Sequence, residues 1–217
     1  MDIAGLQKAV GTKADGIWGE ASRRTLIAAF TNPAPAGLPV AEAAAIANHL
    51  GVTPRQLAAV ASVESAGGGF DKAGRPRILF ERHKFHRFTG GRHSPAPFSN
   101  AQAGGYSDSS WDKLLAAIAT GEVDAAFMAC SWGKFQVLGE FWRQLGFDSP
   151  FALARSTVAG EAGHYDLLCR FIAMSHLQDE MRALSANPES CRAFARGYNG
   201  AGYARFDYHH KLAAAMR

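Results

Sequence analysis

The longest periodic stretch of the chain lies between Val158 and Leu184 and is the strongest constraint on the fold. Apolar residues recur in it at helical spacing and mark one broad face. They are Leu167, Leu168, Phe171, Ile172 and Met174. A helix with so wide an apolar face has to be covered by other elements. The stretch therefore predicts a central, buried helix in a mainly α domain.

Much of the remaining chain also has the pattern of helices that end at glycine. Val40–Leu50 is rich in alanine and precedes Gly51, and a helix beginning at Pro188 is predicted to end at Gly197. A Gly-Arg-Pro turn between the apolar pieces of residues 70–80 predicts a short β-hairpin. The expected fold is therefore mainly α with a small β-hairpin.

Two segments are predicted to be loops. Residues 89–110 are rich in Gly, Pro, Ser and Asn, which is typical of a long surface loop that is functional or mobile. Residues 198–203 form a second, glycine-rich loop, and a terminal helix is expected from Arg205 to Met216.

The composition is that of an ordinary globular protein. The 217 residues are 47% hydrophobic and 19% charged, and they suffice for one domain with a small appendage. A net charge of +4 suits an anionic partner such as bacterial cell wall. Nucleic acid is not expected, because no dense Lys/Arg run with interleaved aromatic residues occurs. No segment has the apolar length of a membrane span, and no signal peptide is recognisable, so cytoplasmic synthesis is expected.

The stretch from Ala59 to Gly69 is the first candidate for chemistry. Thr53 as N-cap and Pro54 at the first helical position begin an apolar helix that ends in one carboxylate, Glu64. Burial raises the pKa of a carboxyl group, and a glutamic acid protonated near neutral pH can act as a general acid. The glycines that follow leave room for a bulky ligand. For this motif alone, a plain solvated helix end is the alternative.

Three short motifs follow one another along the chain. They are Glu64-Ser65-x-Gly67, Ser131-Trp132-Gly133-x-Phe135-Gln136 and Tyr198-Asn199-Gly200-x-Gly202. In this order they resemble the lysozyme-like superfamily, especially goose-type lysozymes and soluble lytic transglycosylases. There the first motif carries the catalytic acid, the second lines the cleft and the third closes it. The added segment Leu79-Phe80-Glu81-Arg82-His83-x-Phe85 looks like the N-acetylmuramidase domain of modular phage endolysins. The resemblance covers residues 39–217.

The resemblance implies a peptidoglycan hydrolase that cleaves the β-1,4 bond between N-acetylmuramic acid and N-acetylglucosamine, with Glu64 as the catalytic acid. Such cleavage normally uses a second carboxylate. Glu81 is the first candidate because it follows the predicted hairpin, although it could instead pair with Arg82 or cap a helix. Asp71 and Asp108 are weaker candidates. Some members of the superfamily work with one essential glutamate.

Five further residues are predicted to bind substrate. Ser65 belongs to the first motif, and Gln136 offers an amide that can donate to and accept from sugar hydroxyl or N-acetyl groups. Tyr198 could hydrogen-bond the N-acetyl carbonyl, and Asn199 is expected chiefly to hold its loop. Tyr106 could stack on a sugar ring or only anchor its loop. Trp132, by contrast, is expected in the core.

Residues 1–31 form a separate small unit. The pattern Leu6-Gln7-x3-Gly11-x3-Asp15-Gly16-Ile17-Trp18-Gly19-x5-Thr25 resembles the core of a small three-helix peptidoglycan-binding module. The match spans about half of that module and lacks its N-terminal helix, so wall binding and packing on the main domain both remain open. Residues 32–38 are rich in proline and are expected to be a linker.

Three other functions are alternatives to a peptidoglycan hydrolase that cleaves the β-1,4 bond. A lytic transglycosylase would use the same Glu64 but would form 1,6-anhydromuramic ends. A non-catalytic wall-binding protein would share the fold without activity. A zinc amidase or endopeptidase would use the histidines His83, His86 and His93, but their spacing matches no zinc signature. No metal or other cofactor is expected, and the protein is expected to be a monomer that reaches the wall through a membrane pore.

Overall fold

The protein is described here by a computed structural model that covers residues 1–64 and 68–217. Across those residues the chain forms twelve α-helices. They are α1 Ile3–Val10, α2 Glu20–Ala29, α3 Val40–Leu50, α4 Pro54–Glu64, α5 Arg82–Phe88, α6 Ser110–Ile118, α7 Val123–Met128, α8 Pro150–Ser156, α9 Glu161–Met174, α10 Gln178–Arg182, α11 Pro188–Asn199 and α12 Tyr208–Ala215. The expected mainly α fold is confirmed. Ser65, which the sequence assigns to substrate binding, lies outside the described residues.

One small antiparallel sheet accompanies the helices. Its strands are β1 Ile78–Phe80, β2 Cys130–Trp132 and β3 Val137–Leu138, in the order β1-β2-β3. Ile78 faces Trp132 across the first pair, and Trp132 faces Val137 across the second. The turn between β2 and β3 is the second sequence motif, so the sheet places that motif beside β1.

The predicted hairpin over residues 70–80 is confirmed as a small feature. The backbone N–H of Asp71 donates to the carbonyl of Arg75 at 2.8 Å, and Phe70 forms an antiparallel bridge with Pro76. Beyond the bridge, β1 pairs with β2, about fifty positions later in the sequence. Nothing in the local pattern of residues 70–80 specifies this distant partner.

The sequence predicts one helix between Val158 and Leu184, and this prediction is wrong in the length of the helix. Its central part is α9, which buries Leu167, Leu168 and Ile172 as expected. The helix ends at Met174 because His176 adopts a left-handed conformation with φ +53°, which an α-helix cannot contain. The apolar period continues into α10 and therefore hides the break in the sequence.

An aromatic cluster forms the centre of the protein. Trp132 is 1% exposed, as predicted, and its Nε1 donates to the carbonyl of Phe127 at 3.2 Å. The ring of Phe30 lies 5.4 Å from Trp111, 5.6 Å from Trp132 and 6.0 Å from Phe151, measured between centroids. Because Phe30 follows α2, the N-terminal unit contributes directly to the core shared with the rest of the chain.

Further hydrogen bonds join residues 1–38 to the remainder. Trp18 Nε1 donates to the carbonyl of Leu115 at 3.1 Å. In the segment predicted as a linker, the Asn32 side chain donates to the carbonyl of Ala159 at 3.0 Å, and its N–H donates to that of Gly74 at 3.0 Å. The proline-rich segment therefore lies against the domain that follows it. Within the described residues, no helix has the length and apolar character needed to cross a membrane.

Candidate active site

Glu64 is the last residue of α4, whose N-terminus is set by a reciprocal cap. The N–H of Gln56 donates to Thr53 Oγ1 at 3.2 Å, and the N–H of Thr53 donates to Gln56 Oε1 at 2.8 Å. The predicted cap at Thr53 is confirmed. α4 packs between α3 and α12, and its buried face, which includes Leu57 and Val60, holds it there. The carboxyl group of Glu64 is thereby fixed at the end of a rigid, mostly buried element.

Burial raises the pKa of Glu64 from 4.5 to about 7. Two neighbours oppose the rise: Asn199 Nδ2 donates to Glu64 Oε1 at 3.0 Å, and the positive charge of Lys211 also favours the carboxylate. The C-terminal end of a helix disfavours a negative charge as well. At neutral pH a large share of Glu64 therefore carries a proton, which agrees with the prediction made from the helix end.

Glu64 lines a cleft of about 600 Å³. The lining also comes from the 70–80 hairpin, β1, the start of α6 and the turn between β2 and β3. Its other described residues are Gly68, Asp71, Arg75, Arg77, Ile78, Leu79, Ser109, Ser110, Trp111, Gly133, Lys134 and Gln136. Of the predicted site residues, Glu64 and Gln136 thus face one cleft.

Gln136 ends the turn between β2 and β3 in a left-handed conformation, with φ +50°. Its Oε1 accepts a hydrogen bond from Ser131 Oγ at 2.7 Å, and its Nε2 donates to the carbonyl of Gly133 at 2.8 Å. The side chain is exposed toward the cleft although its amide braces the turn. A left-handed residue other than glycine costs free energy and is common at functional sites. Substrate binding by Gln136 stays a prediction.

The third motif is not the loop that the sequence predicts, because Tyr198 and Asn199 form the end of α11. Tyr198 Oη donates to the carbonyl of Phe135 at 2.9 Å, which links α11 to the β2–β3 turn. Its proton is therefore engaged, and the proposed bond to an N-acetyl carbonyl would require that bond to break. Asn199 does more than hold a loop, since it contacts the Glu64 carboxyl directly.

Two residues of the terminal helix α12 were missed by the sequence reasoning. The charge of Lys211 reaches Glu64. Burial, followed by the charge of Glu64, raises the pKa of Tyr208, which places that phenol near the same carboxyl group. No local pattern marks either residue, because both reach Glu64 only through the packing of α12 on α4.

Glu81 and Tyr106 form a pair of their own. Tyr106 Oη donates to Glu81 Oε2 at 2.8 Å, and His83 Nδ1 lies 3.3 Å from the same oxygen. Glu81 also occupies the N-cap position of α5. Neither Glu81 nor Tyr106 is among the described residues that line the cleft. Their roles as second carboxylate and sugar-stacking ring remain predictions.

The two weaker carboxylate candidates differ in position. Asp71 lines the cleft, but its Oδ1 accepts from the N–H groups of Ala73 and Arg75, and its Oδ2 lies 2.8 Å from Arg75 Nε. Those bonds fix the hairpin turn. Asp108 is exposed in the 89–110 segment, and its Oδ1 lies 3.5 Å from Ser107 Oγ.

The histidines considered as zinc ligands have separate partners. The neighbours are Glu81 Oε2 at 3.3 Å for His83, Ser94 Oγ at 2.6 Å for His86 and Glu122 Oε1 at 3.9 Å for His93. Along residues 1–64 and 68–217, no three His, Cys, Asp or Glu side chains group as a metal site. The described part of the chain therefore contains no cluster of side chains that supports the zinc hypothesis.

With this geometry in hand, comparisons with known proteins identify the family. Residues 53–217 match the family model of the N-acetylmuramidases. The chain belongs to the N-acetylmuramidase family. Among solved structures it is similar to a Burkholderia AP3 phage endolysin, with a TM-score of 0.73 and 28% sequence identity over 99% of this chain and 93% of that one. A search of curated proteins found no match.

The family and the structural neighbour agree with the function expected from the three motifs. The protein is a peptidoglycan hydrolase of the muramidase class, a glycoside hydrolase related to phage endolysins. Its substrate is accordingly bacterial peptidoglycan.

Proposed function

We propose that Glu64 is the general acid that cleaves the β-1,4 bond between N-acetylmuramic acid and N-acetylglucosamine. The observation that carries the proposal is a carboxyl group with a pKa of about 7 that lines the cleft. Glycosidic cleavage needs a proton on the leaving oxygen while an oxocarbenium-like centre develops. Protonated Glu64 supplies that proton. The carboxylate left behind stabilises the positive centre and can then take a proton from the attacking water.

Asn199 orients the acid in this mechanism. Its Nδ2 donates to Glu64 Oε1, so that the proton resides on the other oxygen, Oε2, when the acid is neutral. That leaves one defined oxygen to face the leaving group. A catalytic group held in one orientation contributes to rate through geometry as well as through acidity.

Lytic transglycosylation is the second candidate function, and one observation supports it. Glu64 and Asp71 are the carboxylates among the described lining residues, and Asp71 is engaged by its own turn. A site that works with one glutamate could use the substrate's own 6-hydroxyl instead of water. Glu81 would supply the second carboxylate of a hydrolase only if substrate binding brought it into the cleft.

Product analysis of purified peptidoglycan separates these candidates. Wild type and Glu64→Gln are compared by mass spectrometry, with EDTA as a further condition. Reducing muramic acid ends that vanish in Glu64→Gln and persist in EDTA support the muramidase mechanism. Anhydro ends would replace hydrolysis by transglycosylation. Cleaved peptides that depend on a metal would overturn the role of Glu64.

For residues 1–31 we propose that packing on the catalytic domain is the main role. Support comes from Phe30 in the aromatic core and from the bond of Trp18 to Leu115. The turn residue Ile17 remains 69% exposed and is available to a wall ligand. Ile17→Ser tests for wall binding: unchanged sedimentation with peptidoglycan supports the packing role, and lost sedimentation would contradict it.

The biological setting belongs to the same proposal. A monomer made in the cytoplasm of a host would reach peptidoglycan once a membrane pore opens. The similarity to a phage endolysin supports this setting. Size-exclusion chromatography with light scattering checks the monomer, and fractionation of a host before and after permeabilisation checks the release.

A further inference from the structure

His164 is a buried residue beneath the cleft that belongs to none of the three motifs. It lies in the first turns of α9 and is 1% exposed. Its ring stacks on that of Phe70, with centroids 4.7 Å apart and planes inclined by 26°. Phe70 belongs to the hairpin that follows the Glu64 segment, so His164 supports one wall of the cleft from below.

Two glycines leave the space that the imidazole fills. A Cβ added to Gly69 would lie 2.1 Å from His164 Nδ1, and one added to Gly133 would lie 3.0 Å from its Cδ2. Gly69 precedes the hairpin, and Gly133 begins the turn that carries Gln136. The ring therefore touches both walls of the cleft and sets their spacing.

The backbone joins the same two walls. The N–H of Arg77 donates to the carbonyl of Gly69, and the N–H of Gly133 donates to the carbonyl of Arg77, each at 2.8 Å. Next along the turn, the N–H of Lys134 donates to His164 Nδ1 at 3.1 Å. This chain of hydrogen bonds connects the Glu64 side of the cleft to the Gln136 side and ends on the imidazole.

The hydrogen bonds of His164 determine its tautomer. Nε2 lies 2.7 Å from the carbonyl oxygen of Thr157, which can only accept, so Nε2 carries the proton. Nδ1 receives the Lys134 N–H and must present its lone pair. The ring is therefore neutral, with its proton on Nε2. A second proton at Nδ1 would point at the Lys134 N–H and break that bond.

Among the described residues, two charged groups act on the imidazole. Glu161 of α9 and Lys134 of the turn form an ion pair of 2.8 Å and act on the ring in opposite directions. On the hairpin side, Asp71 and Arg75 are paired with each other. Tyr165, the next residue in the sequence, has its ring 5.4 Å from Lys134 Nζ. Burial is the largest influence and lowers the pKa of His164 below 6.5.

We infer that neutral His164 is a positioning residue of the cleft, which holds the Lys134 amide by its Nδ1 lone pair and releases the Gly133–Gln136 turn when Nδ1 is protonated. This inference rests on the proposed function, because the turn matters for catalysis only if the cleft binds glycan. It predicts a loss of activity on the acid side that comes from an imidazole rather than from a second carboxylate. With the loss of acidic Glu64 above pH 7, the profile becomes bell-shaped.

Two variants separate the hydrogen bond from simple packing. In His164→Asn the side-chain oxygen can stand near the place of Nδ1, accept the Lys134 N–H and never titrate near neutrality. In His164→Gln the amide reaches toward Thr157 and leaves that N–H without its acceptor. His49→Asn, on the exposed face of α3, is the matched control. All four proteins are assayed from pH 4 to pH 9 on one peptidoglycan preparation, well below their melting temperatures.

We expect His164→Asn to keep KM within about 3-fold of wild type and to lose the acid limb of kcat/KM that belongs to the imidazole. We expect His164→Gln to raise KM about 10-fold, the effect of one unsatisfied buried donor on the turn that carries Gln136. Equal losses in both variants would overturn the inference. So would a His164→Asn profile whose acid limb coincides with that of wild type.

A measurement on the wild-type protein needs no variant to fold and no substrate. In an NMR titration, the inference predicts an Nε2–H tautomer and a Lys134 amide resonance that shifts with the same midpoint as the His164 ring. An Nδ1–H tautomer, or a Lys134 amide resonance that does not shift as the His164 ring titrates, would overturn the inference. If the two groups titrate together but product analysis finds no glycosidic cleavage, the proposed function fails while the positioning contact stands.

Discussion

Asn199 Nδ2 lies 3.0 Å from Glu64 Oε1 and so joins two residues that are 135 positions apart in the sequence. This bond brings the first and third motifs into direct contact at the proposed acid. It also lowers the pKa of Glu64 against the larger effect of burial. Asn199 therefore tunes both the acidity and the orientation of the proposed acid.

Removal of that donor should change rate and pH dependence together. Asn199→Ala is expected to raise the pKa of Glu64 further, to move the basic limb of the kcat profile to higher pH, and to lower kcat about 10-fold through lost orientation. Lys211→Met is the comparison, since it also removes a group that favours the carboxylate but keeps the amide contact. It should move the limb in the same direction with kcat at the optimum retained. A basic limb that moves to lower pH in either variant would contradict this assignment.

Glu64→Gln should make the protein more stable at pH 8 than wild type. The pKa of Glu64 is about 7 in the folded chain against 4.5 as its ordinary value. Between pH 4.5 and 7 the unfolded chain gives up this proton while the folded chain keeps it, so stability falls as pH rises through that window. The full effect is on the order of 3 kcal/mol. Urea unfolding at pH 4.5 and pH 8 measures it. The control Glu42→Gln, at an exposed position, keeps Glu64 and should therefore lose stability between these pH values as wild type does.

Glu81→Gln decides between the two roles of Glu81. A nucleophile or base predicts a loss of about 1,000-fold or more in kcat. A residue that only anchors Tyr106 predicts a change within about 3-fold and a small loss of stability. The contacts with Tyr106 and His83 favour the second result. Steady-state kinetics with a parallel melting curve distinguishes the two.

Arg77 is expected to contribute to the binding of the anionic substrate. Its side chain is exposed in the cleft, and its Nε donates to the carbonyl of Phe70 at 3.1 Å. Arg75 and Lys134 pair with Asp71 and Glu161, whereas Arg77 has no carboxylate partner among the described residues. Arg77→Gln should therefore raise KM by about 3- to 10-fold and leave kcat nearly unchanged.

Salt and a surface control make the Arg77 result specific. The difference in KM between Arg77→Gln and wild type should shrink at high ionic strength, because screening weakens exposed charge interactions. Arg55→Gln, on the exposed surface of α4 and outside the cleft lining, should not raise KM. Equal effects of the two substitutions would show that net charge, rather than the cleft, attracts peptidoglycan.

Phe30→Ala should destabilise the whole protein rather than the N-terminal unit alone. The side chain is fully buried among Trp111, Trp132 and Phe151, and such truncations cost about 3–5 kcal/mol. A single cooperative unfolding transition at lower denaturant concentration is expected. Ile17→Ala, at an exposed position, is the control. Two separate transitions would show that the unit folds independently.

Local signals were enough to predict a poorly solvated carboxyl group at Glu64 but not its surroundings. The cap at Thr53, the apolar face of α4 and the carboxylate at its end are all contained in a dozen consecutive residues. The contacts of Glu64 with Asn199 and Lys211, the pairing of β1 with β2 and the place of His164 join segments that are far apart in the sequence. Spacing and periodicity carry no information about such contacts. The break at His176 leaves no signal in the sequence because the apolar period continues on both sides of it.

The burial of Phe30 also has a consequence for engineering. Residues 1–31 cannot be exchanged freely for another segment, because the ring of Phe30 fills part of the core beneath the cleft wall. A chimera that replaced them with a wall-binding module would need to supply an aromatic side chain to fill the same space in the core. Without that aromatic side chain, an exchange made to alter which bacteria are recognised would instead lower the temperature at which the enzyme unfolds.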